Sequence, residues 1–243
     1  MFIDFHAHSS GISWCCRIPC DKVLDEAKAH GIDGIFLTNH YQKYYVEDGD
    51  ALAFAKRYTA ESLLAKKYAN EKGMRVFFGI EATMHRYQDA HILIIGVDES
   101  FPLEHPTLYD YTIEELSSFV HEKGALLVQA HPFRNGVNRL VDLKCIDGLE
   151  LSCHPLYDGT YTQRLDGLAK DNGLFLTCGG DYHADTYRPH CGVYLPDELK
   201  TEKEVADFLR STPFVDLQVH DLGDELSHKL RFVKNQGCVQ NSH

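Results

Sequence analysis

Phe2-Ile3-Asp4-Phe5-His6-Ala7-His8 opens the chain: a short, mostly apolar run flows directly into two histidines spaced i, i+2. On a β-strand that spacing puts both imidazoles on one face, where they can share one ion. Five more runs end in the same way. Gly34-Ile35-Phe36-Leu37-Thr38-Asn39 leads into His40 and Val76-Phe77-Phe78-Gly79-Ile80 into Glu81. Leu126-Leu127-Val128-Gln129-Ala130 leads into His131, Leu149-Glu150-Leu151-Ser152-Cys153 into His154, and Leu174-Phe175-Leu176-Thr177-Cys178 into Asp181 and His183. In a barrel of parallel strands the C-terminal strand ends converge on one face, so residues far apart in sequence share one pocket. Imidazoles and carboxylates gathered there suit zinc, manganese or iron better than an organic cofactor.

Helical patterns lie between most of these runs. Residues 21–30 carry Val23, Leu24 and Ala27 at helical spacing before Gly31, and residues 50–72 form a long helical stretch stopped by Gly73. Thr112 and Glu115 form a capping-box pair opening a helix that Gly124 ends. Residues 159–172, stopped by Gly173, and 201–210 complete the set. Strand and helix alternating in this way predict an α/β domain of parallel strands with helical crossovers. Residues 91–97 have no helix before them and are expected to extend the sheet as an extra strand. From about residue 237 the polar tail is expected to be flexible.

At 243 residues the chain fits one such barrel and no second domain. Thirty-six acidic against 24 basic residues give a formal charge of -12, which disfavours a long nucleic-acid backbone and favours a small substrate. The start lacks a basic leader and the longest greasy run, 92–97, is far too short to span a bilayer, so a cytoplasmic protein with no membrane partner is expected. The cysteines are then expected to be thiols. Cys145, Cys153, Cys178 and Cys191 lie in or beside apolar runs and read as core residues, whereas Cys15, Cys16 and Cys20 cluster in a loop just after His8.

Most single histidines are structural. His30 and His121 fall in the last turn of expected helices, where an imidazolium meets the helix dipole favourably. His85, His91, His105, His190, His220, His228 and His243 have no partner motif, although His91 and His190 stand near the pocket rim. Asp181-Tyr182-His183 repeats the i, i+2 geometry of His6 and His8. Glu81 at the end of an apolar run needs a cation to neutralise it. Proline after His131 and after His154 breaks each strand at the donor. His6, His8, His40, Glu81, His131, His154, Asp181 and His183 are therefore the candidate ligands of a polynuclear site.

This arrangement resembles the PHP family, named for polymerase and histidinol phosphatase domains. The resemblance covers roughly residues 4–192 and rests on Asp4-Phe5-His6-Ala7-His8-Ser9, Leu37-Thr38-Asn39-His40, Ala130-His131-Pro132 and Gly180-Asp181-Tyr182-His183. It implies a single distorted (β/α)7-type barrel holding two to three divalent ions at the C-terminal strand ends. It also implies a grouping: His6, His8, Glu81 and Asp181 on the first ion, Glu81, His131 and His154 on the second, His40 and His183 on the third. Two stretches depart from the family's pattern. Ser13 and Trp14 stand where a further Asp or His ligand is usual, so either Cys15 or Cys16 completes that shell or only two ions are held. Thr38-Asn39-His40 replaces the commoner Thr-Asp-His, a change expected to act on hydrogen bonding behind the ligands.

Two ions bridged by a carboxylate can activate water and neutralise charge on a phosphoryl group. The expected activity is hydrolysis of a small phosphorylated metabolite, a phosphomonoester of the histidinol-phosphate type, by a metal-bridging hydroxide. Glu81, Asp181 and His183 are the catalytic candidates. Arg134, Arg17 and Arg188, in loops opening on the same face, are the candidates for gripping the phosphate. Two alternatives stay open: a nuclease or nucleotide phosphatase acting on short single strands or bisphosphorylated nucleotides, and a catalytically inactive metal-binding module.

Overall fold

All six runs are strands, and their order explains how their ends meet. The structure, a computed structural model, describes residues 1–87, 90–134, 139–153, 162–183, 191–220 and 227–240, with residues 238–240 described by their main chain alone. The runs correspond to β1 (Phe2–Ala7), β2 (Gly34–Leu37) with the short β3 (His40–Tyr41), β4 (Arg75–Met84), β6 (Leu126–Gln129), β7 (Gly148–Ser152) and β8 (Phe175–Gly179). Between β4 and β6 lies β5 (Ala90–Ile95), and β9 (Gly192–Tyr194), β10 (Phe214–Val219), β11 (His228–Val233) and β12 (Gly237–Gln240) follow β8. One sheet links them in the order β12-β11-β10-β9-β1-β2-β4-β5-β6-β7-β8, with β3 added on β4.

The sheet curls into a nearly closed barrel because the chain leaving β8 returns to β1. Asp181 N–H donates to the His6 carbonyl at 2.8 Å, and Tyr182 forms a parallel bridge with Ala7. The opposite end of β1 pairs with β9 through Phe2 and Ile3. The Asp4 carboxylate, buried, accepts from the Gly180 and His6 amides at 2.9 Å each and pins the two segments together.

Five helices match the expected pattern: α1 (Cys20–Ala29), α2 (Ala51–Lys72), α4 (Ile113–Glu122), α5 (Thr162–Asn172) and α6 (Glu202–Ser211). A four-residue helix, α3 (Phe101–Glu104), adds to them. The Thr112–Glu115 capping box forms, and Thr201 with Glu204 builds a second. Gly73 closes the long α2 at φ +67°, a left-handed position that a side chain would strain. No helix among the described residues is long and apolar enough to cross a membrane.

Three expectations change. β5 is the extra strand expected, but it is an interior strand antiparallel to both neighbours, so the sheet is not the parallel one the alternation predicts. Only a short connection separates it from β4, and a short connection can return a strand only in the antiparallel sense. The regular strand–helix repeat is therefore interrupted. Residues 237–240 are not a flexible tail, because β12 pairs with β11 from Val233↔Gly237 to Leu230↔Gln240. Third, Glu81 lies inside the ten-residue β4 and does not end it.

Both faces of the barrel wall are covered, as the almost unbroken apolar runs require. Phe5, Phe36, Phe78, Ile80, Ile94, Leu127, Leu149 and Leu176 join one large core. Ile35, Leu37 and Val76 face a second one with Val23, Leu24 and Ala27 of α1 and Ala65 and Ala69 of α2.

The closure leaves no room at Gly179, where an added Cβ would stand 2.5 Å from His6 Cβ and 2.8 Å from Glu150 Oε1. Gly179→Ala should cost about 1–3 kcal/mol by overpacking and lower the thermal midpoint by roughly 2–12 °C. Gly167→Ala, on α5 with no atom within 4 Å of the new methyl, should instead leave stability unchanged or gain about 0.5–1 kcal/mol. Calorimetry giving the two variants the same midpoint would contradict the β8–β1 contact.

Candidate metal centre

Glu81 is fully buried and surrounded by imidazoles on both of its oxygens. Oε1 faces His6 Nε2 at 3.4 Å, His131 Nε2 at 3.1 Å and His91 Nδ1 at 2.7 Å. Oε2 faces His8 Nε2 at 3.3 Å and His40 Nδ1 at 2.5 Å. Each oxygen thus serves a different set of donors, which is how a carboxylate bridges two neighbouring cations. The pairing of His40 in β3 with Glu81 in β4 produces half of this arrangement, and the β4–β5 hairpin, which sets Thr83 opposite His91, brings in the rest.

Asp181 spans the two sets. Its Oδ1 lies 3.4 Å from His6 Nε2 and 3.1 Å from His8 Nε2, and its Oδ2 is 3.8 Å from His131 Nε2. His6, His8, Glu81 and Asp181, all buried, each offer an atom within 4.8 Å of the others. Donors about 2.1 Å from a shared ion stand roughly 3.0–3.4 Å apart, whether octahedral or tetrahedral, which the His6, His8, Glu81 and Asp181 separations match. His6 Nε2, His40 Nδ1 and Glu81 Oε2 are buried without a hydrogen-bond partner among the described residues. Orphaned atoms gathered around one carboxylate fit divalent cations of the zinc, manganese or iron type.

Groups behind the donors fix their orientation. Glu150, fully buried on β7, grips His6 Nδ1 at 2.9 and 3.1 Å and accepts the His131 amide at 3.0 Å. With Nδ1–H donating to Glu150, His6 turns its Nε2 lone pair to the centre. Ser13, where a further ligand was sought, has its hydroxyl 3.0 Å from His8 Nδ1 and accepts from the His40 amide at 3.0 Å. It donates in turn to Asn39 Oδ1 at 2.9 Å. The Asn39 amide thus works behind the ligands, tying Ser13 to the Ser9 amide. Backbone strain collects here as well: His131 has φ +28°, Phe133 φ +69° and Asp181 φ +54°.

The electrostatics separate donors from proton carriers. Burial, reinforced by Arg134, pushes His131 down to about 3, and burial with His183 and His40 holds His8 well below its ordinary value. Both are neutral donors. Burial works against the charge on Glu81, but His40, His91 and His6 outweigh it and hold the carboxyl well down. Burial also opposes Asp181, where His6 and Arg134 prevail in the same way. In Glu150 burial wins and pushes the carboxyl up to about 7 despite His6.

His40 and His183 approach each other Nε2 to Nε2 at 3.3 Å and join His8 in a further group of donors. Cys15 hydrogen-bonds His183. The Cys16 thiol turns instead to the Ile18 carbonyl at 3.6 Å, and burial pushes it up to about 11. Arg134 reaches the centre and its Nη1 pairs with Asp181 Oδ2. Arg17 is exposed, though its amide donates to the His183 carbonyl. His154 and Arg188 lie outside the described residues. Glu150 and His91 were not among the sequence candidates. The alternation Leu149-Glu150-Leu151 hides a carboxylate on an apolar strand, the same signal that singled out Glu81.

No family model matches the chain, and no curated protein does. Among solved structures, PsfC from Pseudomonas syringae PB-5123 is similar over 99% of this chain and 91% of its own, at 18% identity and a TM-score of 0.58. An amidohydrolase from Chromobacterium violaceum, crystallised with sulfate and no metal, is similar over 85% of this chain and 96% of its own, at 16% identity and a TM-score of 0.59. Likeness at this identity establishes a shared fold. The resemblance to PHP proteins rests on the four sequence motifs.

In the metal-free protein His6 is raised well above 6.5: burial opposes the proton, but Glu150, Glu81 and Asp181 together outweigh it. That contribution to stability is present below 6.5 and fades as pH rises through the raised value. An ion must displace this proton, so apparent affinity should strengthen with rising pH and binding should release protons. Titration calorimetry in buffers of different ionisation enthalpy measures the release. A buffer-independent heat would contradict a protonated His6.

Glu150→Gln should weaken metal retention by about 10–100-fold, because His6 loses the charge that orients it. Metal analysis of dialysed protein checks this, and retention equal to that of the unsubstituted chain would refute it.

Proposed function

We propose that this chain is a metal-dependent hydrolase of small phosphomonoesters. The observation that carries the reading is the position of buried Glu81 between two groups of donors, His6, His8 and Asp181 in one and His40 and His91 in the other. That position favours two ions side by side, held by His6, His8, Asp181 and Glu81 on one side and by Glu81, His40 and His91 on the other, with His131 also beside the shared carboxylate. When bound, such ions supply Lewis acidity toward a phosphoryl oxygen and make hydrolytic water available near neutral pH.

The chain's own groups supply the rest. Glu150 and Ser13 keep His6 and His8 aimed at the centre, so the donors need no rearrangement when charge develops. Arg134, mostly buried, is the one guanidinium among the described residues that reaches the donors, and it carries a fixed positive charge for a phosphate oxygen next to Asp181. His183, partly exposed at the mouth, keeps Nδ1 within 2.7 Å of the Asp181 carbonyl. Its opposite nitrogen, 3.3 Å from His40 Nε2, borders the donor cluster, placed to hand a proton to a departing alkoxide there. Arg17 and the Cys15 thiol flank the same opening.

A second reading is drawn from the Chromobacterium structure, described as an amidohydrolase: cleavage of an amide bond by the same centre.

Turnover of a chromogenic phosphomonoester with added manganese or zinc is the direct test. Hydrolysis of a chromogenic amide alone would favour the second reading, cleavage confined to short single strands a nuclease, and inertness toward all three a binding module. Glu81→Gln should lower kcat by more than 100-fold, since it removes the shared charge. Arg134→Ala should instead raise KM by roughly 10–100-fold, the value of one charge-assisted hydrogen bond to ground-state phosphate. Steady-state kinetics on both variants separates the roles, and equal small effects would overturn them.

A further inference from the structure

Cys153, Cys178 and Cys191 read as three unrelated core residues in the sequence, but the fold gathers them. Their sulfurs lie within 4.8 Å of one another, with Cys153 and Cys178 only 3.6 Å apart, and all three are buried free thiols. They arrive from three segments: Cys153 immediately follows β7, Cys178 is on β8 opposite Leu151, and Cys191 immediately precedes β9. The group is separate from the histidine centre. Alternation along β7 and β8 sends Glu150 toward His6, and Leu151 and Cys178 to the opposite face of the sheet.

We propose that this trio is a second metal site, a thiolate cluster that holds one soft ion of the zinc, cadmium or copper(I) class. Zinc–thiolate bonds of about 2.3 Å place tetrahedral sulfurs roughly 3.8 Å apart, and trigonal ones about 4.0 Å apart; the Cys153–Cys178 pair at 3.6 Å is already close to this, and the separations to Cys191, within 4.8 Å, need about an ångström of closure at most. Sulfur donors with no carboxylate select against the harder ions suited to the histidine centre. The His220 amide donates to Cys153 Sγ at 3.2 Å, a contact that stabilises negative charge on sulfur. Binding balances simply: three S–H bonds give up their protons to solvent, three metal–sulfur bonds form, and nothing is oxidised or reduced. The ion joins the end of β7, β8 and the start of β9, the junction between the barrel and its antiparallel extension. Its role is structural.

The test uses the full-length, reduced, metal-free chain titrated with cadmium and followed by the ultraviolet sulfur-to-cadmium charge-transfer absorption. The histidine and carboxylate donors give no such band. We expect a band whose intensity corresponds to three thiolates per ion. Cys178→Ser and Cys191→Ser should each lower it by a third or more, and Cys15→Ser, beside His183, should leave it unchanged. Should either triad variant fail to fold, cysteine mapping of the unsubstituted chain decides: in mild denaturant, cadmium should protect Cys153, Cys178 and Cys191 from alkylation together. Absence of the band, its loss in Cys15→Ser, or equal alkylation of the three with and without cadmium would overturn the site.

Discussion

A carboxylate buried without solvent must be matched by positive charge, and Glu81 meets that requirement on both oxygens at once. Much of the architecture follows from it. The donors around it come from β1, β3, β5 and the loops after β6 and β8, so no two neighbouring helices or single hairpin could assemble the group. The sheet must curl until β8 reaches β1, and the backbone at His131 and Asp181 must take strained left-handed angles to turn their side chains inward. Strain of this kind persists only where the surroundings determine it many times over. Here the Glu150 carboxylate on the His131 amide and the His6 carbonyl under the Asp181 amide do so.

A second tier of polar groups converts a cluster of imidazoles into a directional site. Glu150 holds His6, and the Ser13–Asn39 pair holds His8 and the His40 amide. Ser13 and Asn39 are two of the positions at which the chain departs from the pattern it resembles, and they bond to each other. The two substitutions are one device: a hydroxyl needs an acceptor for its proton, and the Asn39 carbonyl oxygen supplies it. A carboxylate at residue 39 would add another negative charge to a pocket that already holds Glu81, Asp181 and Glu150.

The barrel sorts donors by face. Nitrogen and oxygen donors converge inside the strand ends, while three sulfurs meet on the other side of β7 and β8. Strand alternation is responsible, since consecutive residues such as Glu150 and Leu151 or Thr177 and Cys178 must serve opposite faces. The antiparallel extension from β9 to β12 leans on this second group through Cys191 and the His220 amide.

Local patterns were enough to reveal much of this in the sequence alone. The helix periods, the Thr112 capping box and the glycine stops act over a few residues, and the apolar runs mark their own strands. The i, i+2 pairs His6/His8 and Asp181/His183 announce chelation for the same reason. Strand direction is different: β5 reads as one more apolar run, and only its short link to β4 and its place before β6 make it antiparallel. Nor could spacing reveal that Glu150 stands behind His6, that His91 reaches Glu81, or that Cys153, Cys178 and Cys191 touch. Each of those contacts joins residues that are remote in sequence or on different strands, and it exists only once hydrogen-bonded register has set one strand against the next.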